Sequence, residues 1–213
     1  MQFIFYTAEL VGTIAFAISG AVLAIQKKLD LFGILLLGVI TALGGGTVRD
    51  LILGHTPPRM FYNVEYVALA VAAAFIVFLV AKYTKKNQLF SSGVMDFLFV
   101  FCDSLGLGIF AVIGTQAGIT EGFGDNAFLC IFLGMMTGVG GGIIRDMMCT
   151  DIPFVLRKHI YAVAAILGSV IFYVLLNIGM AEAVASLAGM LVTLVLRLLA
   201  WHYRWNLPKA HSD

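Results

Sequence analysis

Seven apolar runs restrict this chain to a helical membrane fold more strongly than any other feature of its sequence. Each run is close to the ~20 residues that an α-helix needs to cross a bilayer. A β-barrel would show shorter segments of alternating polarity, whereas continuous stretches such as AVAAAFIVFLVA have the length of helices. The runs cover residues 3–26, 31–54, 63–83, 96–119, 126–150, 157–178 and 181–203.

The composition excludes several other classes of protein. Hydrophobic residues make up 61% of the chain and charged residues 12%, whereas about a quarter of the residues in soluble domains are charged. A net charge of +1 without a basic tract argues against nucleic acid as a partner. The cysteines and histidines lack the spacing of a metal site, and Ser104 has no histidine close in sequence. We therefore expect no cofactor and no enzymatic activity.

The distribution of lysine and arginine predicts the orientation of the helices. With the N-terminus outside, 10 of the 13 basic residues fall on the inner side, one (Arg59) falls outside, and two (Arg49 and Arg145) lie within helices. The positive-inside rule therefore predicts an outer N-terminus and a cytoplasmic C-terminus. The inner residues are Lys27, Lys28, Lys82, Lys85, Lys86, Arg157, Lys158, Arg197, Arg204 and Lys209.

The motif GGGTVRD at residues 44–50 recurs as GGGIIRD at residues 140–146. The same offset of 96 matches Pro57 with Pro153, and an upstream offset of 94 matches Glu9 with Asp103. Helices 1 to 3 are thus repeated as helices 4 to 6, and a seventh helix is left over. Because three helices is an odd number, the second unit must enter the membrane from the opposite side, which gives an inverted-topology repeat.

The repeat divides the chain into three parts. We assign residues 1–90 to the first three-helix repeat and residues 91–180 to the second, inverted one. Residues 181–213 form the seventh helix and a cytoplasmic tail. The predicted fold is therefore an all-α integral membrane protein with a 3+3+1 arrangement of helices.

The glycine triplets are predicted to kink or break helices 2 and 5. Three consecutive glycines weaken a helix and permit backbone angles that are closed to other residues. The alternative is that the glycines let two helices pack closely, but packing alone does not call for an arginine and an aspartate one turn later. The predicted kink positions are Gly44, Gly45, Gly46, Gly140, Gly141 and Gly142.

The arginines of the two motifs are predicted to line a pathway through the membrane. An arginine near the centre of a membrane helix costs about 2.5 to 3.5 kcal/mol on insertion scales, so it normally faces the bundle interior or a wet cavity. Purely structural salt bridges are the alternative. Neighbouring side chains on a helix point about 100° apart, so we expect Arg49 and Arg145 to pair with other helices rather than with Asp50 and Asp146.

Glu9 and Asp103 are the candidate partners of the arginines, or else carboxylates at a pore mouth that concentrate cations. Four carboxylates against two guanidinium groups within the membrane favour a cation pathway. Ser19 and Thr47 are further candidates for its lining, although serine and threonine often bond back to their own helix.

The doubled GGG-x-x-R-D motif in a 3+3+1 arrangement resembles the prokaryotic branch of the trimeric intracellular cation (TRIC) channels, over about residues 4–203. The resemblance implies a homotrimer in a bacterial inner membrane, with a pore in each protomer bounded largely by helices 1, 2, 4 and 5. It implies permeation of monovalent cations, chiefly potassium. It also implies pore roles for Arg49, Asp50, Arg145 and Asp146.

One feature of animal TRIC channels is absent from this chain. Their Lys-Glu-Val motif, associated with phosphoinositide binding, is replaced here by Ile143, Ile144, Arg145 and Asp146. Dependence on that lipid is therefore not expected, although membrane lipids remain partners. The motif keeps a positive charge, so binding of an anionic lipid headgroup or a gating role stays open.

Two functions stay open from the sequence. A passive cation channel would use the two arginines to narrow or gate its path. A secondary transporter of a small zwitterion such as glycine is the alternative, because prokaryotic relatives have carried that label and inverted repeats are common in transporters.

Overall fold

The computed structural model describes residues 2–84, 92–157 and 160–205. Lys85, Lys86, Lys158 and Lys209, which enter the orientation argument, lie outside these ranges. The described residues form the helices α1 (Gln2–Gln26), α2 (Leu31–Ile52), α3 (Val64–Tyr83), α4 (Ser92–Gly118), α5 (Ala127–Met148), α6 (Phe154–Arg157), α7 (Tyr161–Asn177) and α8 (Glu182–His202).

The helices confirm the seven apolar runs. Within the described ranges, six helices are long and apolar enough to cross a membrane, and α7 is a shorter apolar helix of 17 residues. The sixth run differs from its predicted start at residue 157, because α6 ends at Arg157 and the apolar helix begins at Tyr161. The protein is therefore an integral membrane protein built from helices.

The two halves of the chain begin their central helices in the same way. Oδ1 of Asp30 accepts a hydrogen bond from the backbone N–H of Gly33 at 2.8 Å, which caps α2. Oδ1 of Asn126 accepts one from Leu129 at 3.0 Å, which caps α5. Such a side chain satisfies a backbone donor that a helix start would otherwise leave unpaired. Both caps are related by the offset of 96, so the repeat extends to how the helices start.

Four helices, α1, α2, α4 and α5, form the centre of the bundle. Helix α3 packs on α1 and α2, α7 packs on α5 and α4, and α8 covers α4 and α7 without a counterpart in the first half. At the contact of α1 with α4, the rings of Phe16 and Phe110 stack with their centres 5.3 Å apart. These two residues are equivalent in the repeat, so each half contributes the same side chain to a shared contact.

The contact of α2 with α5 depends on glycine. A Cβ atom at Gly45 would overlap the carbonyl oxygen of Thr137, and one at Gly141 would overlap that of Thr41. Thr41 and Thr137, like the two glycines, are related by the offset of 96. The backbones of α2 and α5 therefore approach each other reciprocally, and only glycine permits this distance.

The predicted break of α2 and α5 at the glycines is wrong. Both helices stay α-helical through their triplets, from Leu31 to Ile52 and from Ala127 to Met148. The physical reason is that the middle glycines lie in the α2–α5 contact, and a break there would leave backbone N–H and C=O groups unpaired inside the bundle. Close packing, the alternative reading, accounts for Gly45 and Gly141. A bend at the triplets within a continuous helix stays a prediction.

Candidate functional site

Each arginine of the repeated motif pairs with the aspartate that follows it. Nε and Nη2 of Arg49 donate to Oδ1 of Asp50 at 3.0 and 2.7 Å. Nε of Arg145 donates to Oδ1 of Asp146 at 2.9 Å. The expectation that neighbouring side chains would not pair is therefore wrong. An arginine side chain is long enough to curve around the helix, so its guanidinium reaches a carboxylate whose Cβ points elsewhere.

The second oxygen of each aspartate holds the loop that follows the helix. Oδ2 of Asp50 accepts a hydrogen bond from the backbone N–H of Arg59 at 2.9 Å. Oδ2 of Asp146 accepts one from Phe154 at 2.8 Å. Sequence reasoning missed this anchoring role. The signal was the repeated proline seven residues after each aspartate, which marks a turn kept in both halves.

Arg145 joins three helices in a buried cluster. Its Nη1 donates to Oδ1 of Asp103 at 2.7 Å and to Oγ of Ser19 at 2.8 Å. Oγ of Ser19 in turn donates to Oδ1 of Asp103 at 3.2 Å. The guanidinium lies 4.8 Å from the ring centre of Phe99, and Arg145 is 0% exposed. The predicted partner of Arg145 on another helix is thus confirmed as Asp103.

The equivalent cluster does not form in the first repeat. Oε2 of Glu9 accepts a hydrogen bond from the hydroxyl of Tyr66 at 2.9 Å, and the ion pair of Arg49 in the described structure is with Asp50. The expected pairing of Glu9 with Arg49 is therefore wrong. One cause is visible in the sequence, because Ile113 stands at the position equivalent to Ser19 and supplies no hydroxyl to bridge the pair.

A polar cavity of about 220 Å³ lies beside Arg49 instead. It is bounded by α1, α2, α4 and the loop after α2, on the side of the bundle where α1 begins. Gly46 contributes backbone to its wall, and the hydroxyl of Thr47 donates back to Leu43 at 2.9 Å. Polar and charged side chains in its lining include Glu9, Thr13, Thr47, Arg49, Gln116 and Thr120.

The repeat-equivalent positions on the other side are apolar. Thr13 corresponds to Leu107 and Gln116 to Val22, and both of these apolar side chains are fully buried. Thr47 likewise corresponds to Ile143. The two halves therefore share a backbone arrangement but not a lining. Polar residues line a cavity in one half, and apolar residues fill the repeat-equivalent space in the other half.

The predicted site residues thus fall into two groups on opposite sides of the α2–α5 contact. Sequence reasoning missed Thr13, Gln116 and Thr120 in the cavity. A signal was available, because Thr13 follows Glu9 by four residues and Thr120 follows Gln116 by four, so each pair shares a helix face. The cavity group is Glu9, Thr47, Arg49 and Asp50, and the buried group is Ser19, Asp103, Arg145 and Asp146.

The fold and the two groups define a class of helical membrane protein with an inverted repeat and charged residues at its centre. A family model described as "Glycine transporter" matches residues 6–82 and 100–177. The inner membrane protein YadS of Escherichia coli is 35% identical over 98% of this chain and 97% of its own length.

Solved structures agree in fold and sequence. A chain described under "Structural basis for conductance through TRIC cation channels" is 35% identical, with a TM-score of 0.84 and coverage of 98% of both chains. The TRIC trimeric intracellular cation channel orthologue from Rhodobacter sphaeroides is 30% identical, with a TM-score of 0.85 and coverage of 95% of this chain and 99% of that one. The chain belongs to the prokaryotic TRIC channel family, and the matching family model carries the description "Glycine transporter".

Proposed function

We propose that this protein is a passive channel for monovalent cations, chiefly potassium. The observation that carries the proposal is the polar cavity beside Arg49, bounded by α1, α2 and α4, together with the buried cluster in which Arg145 ties α5 to α1 and α4. The channel structures described above support it, since they cover nearly the whole chain at 30% identity or more. The related channel from Rhodobacter sphaeroides is described as trimeric, and we extend this assembly to a homotrimer with one pore in each protomer.

The cavity is the entrance of the proposed pore. Glu9 supplies a carboxylate, and Thr13 and Gln116 supply polar groups, so a partly dehydrated cation finds oxygen atoms along the wall. Arg49 and Arg59 share the cavity, but Asp50 compensates the charge of Arg49 at 2.7 Å and Glu121 pairs with Arg59. The negative charge of Glu9 is therefore the charge in the lining that attracts cations.

The cluster around Arg145 is the proposed gate. Arg145 is fully buried, and its contacts with Asp103 and Ser19 tie α5 to α4 and α1. Nη2 of Arg145 and Oδ2 of Asp103 are buried without a hydrogen-bond partner among the described residues. An incompletely satisfied polar cluster is less stable than a fully bonded one. Opening requires Arg145 to leave Asp103, and the unsatisfied atoms lower the free energy that this step needs.

The orientation and the location belong to the same proposal. The positive-inside rule puts the cavity outside and the gate toward the cytoplasm. YadS is described as an inner membrane protein, which supports the bacterial inner membrane as the location. Residues 1–90 and 91–180 act as the two halves of the pore, residues 181–213 add the last helix and tail, and no catalytic step is involved.

The second candidate is a secondary transporter of a small zwitterion such as glycine. Two observations favour it: the description of the matching family model and the presence of both Arg49 and Glu9 in one cavity of about 220 Å³. A guanidinium and a carboxylate in the same cavity can hold the carboxylate and the amine of an amino acid.

A reversal potential separates the two candidates. Purified protein in a planar bilayer is measured under a KCl gradient, first without glycine and then with it. A reversal near the potassium equilibrium potential that is indifferent to glycine supports the channel. No current without glycine, together with saturable uptake of labelled glycine into liposomes, would overturn the channel and support the transporter.

A further inference from the structure

A second cavity lies at the opposite end of the bundle from the first, beside the C-terminal end of α8. Its volume is about 280 Å³, and it opens between α8, the first half of α4 and the segment between α5 and α7. Two arginines line it, and none of the described residues in its wall is acidic. The lining includes Val100, Phe154, Arg197, Trp201, Arg204 and Trp205.

Arg197 is a buried cation that has no counter-charge among the described residues. The residue is only 3% exposed, and its guanidinium carbon lies 4.6 Å from the ring centre of Tyr161. Nε of Arg197 has no hydrogen-bond partner, and Arg197 forms no salt bridge within residues 2–84, 92–157 and 160–205. A guanidinium is always protonated and offers five N–H donors, so burial without an anion is unfavourable.

Arg197 differs from the other buried arginines of the described structure in its contacts. Arg145 and Arg49 are also buried, but each donates to at least one aspartate. Within the part of the chain that the structure describes, Arg197 lies against the face of Tyr161, which attracts a cation but accepts no strong hydrogen bond. Its donors are therefore available to a ligand in the cavity.

We propose that this cavity binds a phosphate group, carried either by a lipid headgroup or by free phosphate. The planar guanidinium of Arg197 matches the oxygens of a phosphate, and Arg204 adds a second positive charge at the exposed end of the cavity. The lining of this cavity shares no residue with the first cavity, although the backbone of Phe154 in its wall donates to Asp146 beside the proposed gate.

The position of the cavity favours the lipid headgroup as the source of the phosphate. Trp201 and Trp205 are partly exposed, at 37% and 45%, where α8 ends. Tryptophan at a helix end is typical of the headgroup level of a membrane. Basic pockets between membrane helices on the cytoplasmic side bind anionic headgroups, and the proposed orientation puts this cavity on that side.

Intrinsic tryptophan fluorescence tests the proposal directly, because the two tryptophans of the chain both line this cavity. The full chain, purified in a maltoside detergent without phosphate, is titrated with inorganic phosphate in one arm and with phosphatidylglycerol in the other. Diacylglycerol of the same chain length is the control lipid, since it lacks only the phosphate-bearing headgroup.

The response pattern identifies the source. A saturable change with phosphatidylglycerol but not with phosphate supports a lipid headgroup. A saturable change with phosphate supports a site for which the phosphate group suffices. No change of the wild-type fluorescence with either, or an equal change with diacylglycerol, overturns the proposal.

Substitution of the arginines tests whether they cause the fluorescence response. Arg197→Gln should raise the midpoint at least about tenfold, since a hydrogen bond to a charged group contributes about that factor to affinity. Lys82→Gln is the matched control, because it removes an exposed positive charge at the same end of the bundle and should keep the wild-type midpoint. Arg204→Gln, at an exposed position, should raise the midpoint about threefold or more and serves if Arg197→Gln does not fold. Wild-type midpoints in the folded arginine variants would overturn the site.

Discussion

Arg49 and Arg145 occupy equivalent positions of the inverted repeat, yet Arg49 lines an open cavity while Arg145 is sealed in an ion pair with Asp103. Both arginines keep the same local partner, the aspartate that follows each of them. The difference arises from residues on other helices, chiefly Ser19 in one half and Ile113 in the other. A symmetric backbone thus carries asymmetric side-chain contacts, with a polar cavity in one half and a buried ion pair in the other.

Removal of the buried ion pair should open the proposed gate. The double variant Arg145→Gln, Asp103→Asn takes away both charges, so neither is left buried and unpaired. A buried charged hydrogen bond contributes about 1.5 to 3 kcal/mol, so loss of it should raise potassium flux into liposomes roughly tenfold or more. Arg49→Gln is the control and should change single-channel conductance without this rise. Unchanged flux in the double variant would contradict the gate.

Alanine substitution at the glycines of the α2–α5 contact should destabilise the protein far more than the same substitution at Gly46. Gly45→Ala and Gly141→Ala each force a Cβ into a threonine carbonyl and should destabilise the protein by about 1 to 3 kcal/mol, the usual effect of overpacking. Gly46→Ala is the control, because its added Cβ would meet only Nη2 of Arg49, at 3.8 Å. Thermal unfolding in detergent measures the difference. Equal stability of Gly45→Ala and Gly46→Ala would show that the close approach is not required.

The aspartates of the motif should slow amide hydrogen exchange in the loops that follow α2 and α5. Asp50→Asn replaces an oxygen pair that accepts from both Arg49 and the backbone of Arg59. Loss of such a buried charged acceptor costs about 1 to 3 kcal/mol, and residues 53–63 should exchange their amide hydrogens faster. Glu65→Gln, exposed at the start of α3, is the control for loss of one negative charge. Slow exchange in Asp50→Asn would argue against the anchoring role.

Glu9 should increase cation conductance through its charge. Glu9→Gln keeps the shape of the side chain and removes the carboxylate of the cavity lining, so we expect potassium conductance to fall about twofold in dilute salt. The reduction should shrink in concentrated KCl, because mobile ions screen the charge. Single-channel currents at both salt concentrations provide the test, with Glu65→Gln as the charge-matched control. A reduction of equal size at both concentrations would point to a steric cause instead.

The sequence predicted the helices and their repeat because both depend on local or periodic information. A run of ~20 apolar residues requires a spanning helix wherever it stands in the chain. The offsets of 94 and 96 fix which residues are equivalent, and the stacked pair Phe16 and Phe110 and the reciprocal contacts of Gly45 and Gly141 follow that equivalence. The partner of Arg145 was also predictable, since Asp103 is one of few carboxylates within the membrane helices.

An all-helical membrane protein with an inverted repeat and charged residues at its centre could be predicted from the amino-acid order, because hydrophobic length and internal similarity are properties of the chain alone. Three features could be seen only in the folded protein: the glycine triplets remain helical, each arginine curves back to its own aspartate, and the polar cavity exists in one half. These features depend on which side chains of distant helices meet, and a difference such as Ser19 against Ile113 acts only when the helices are packed together.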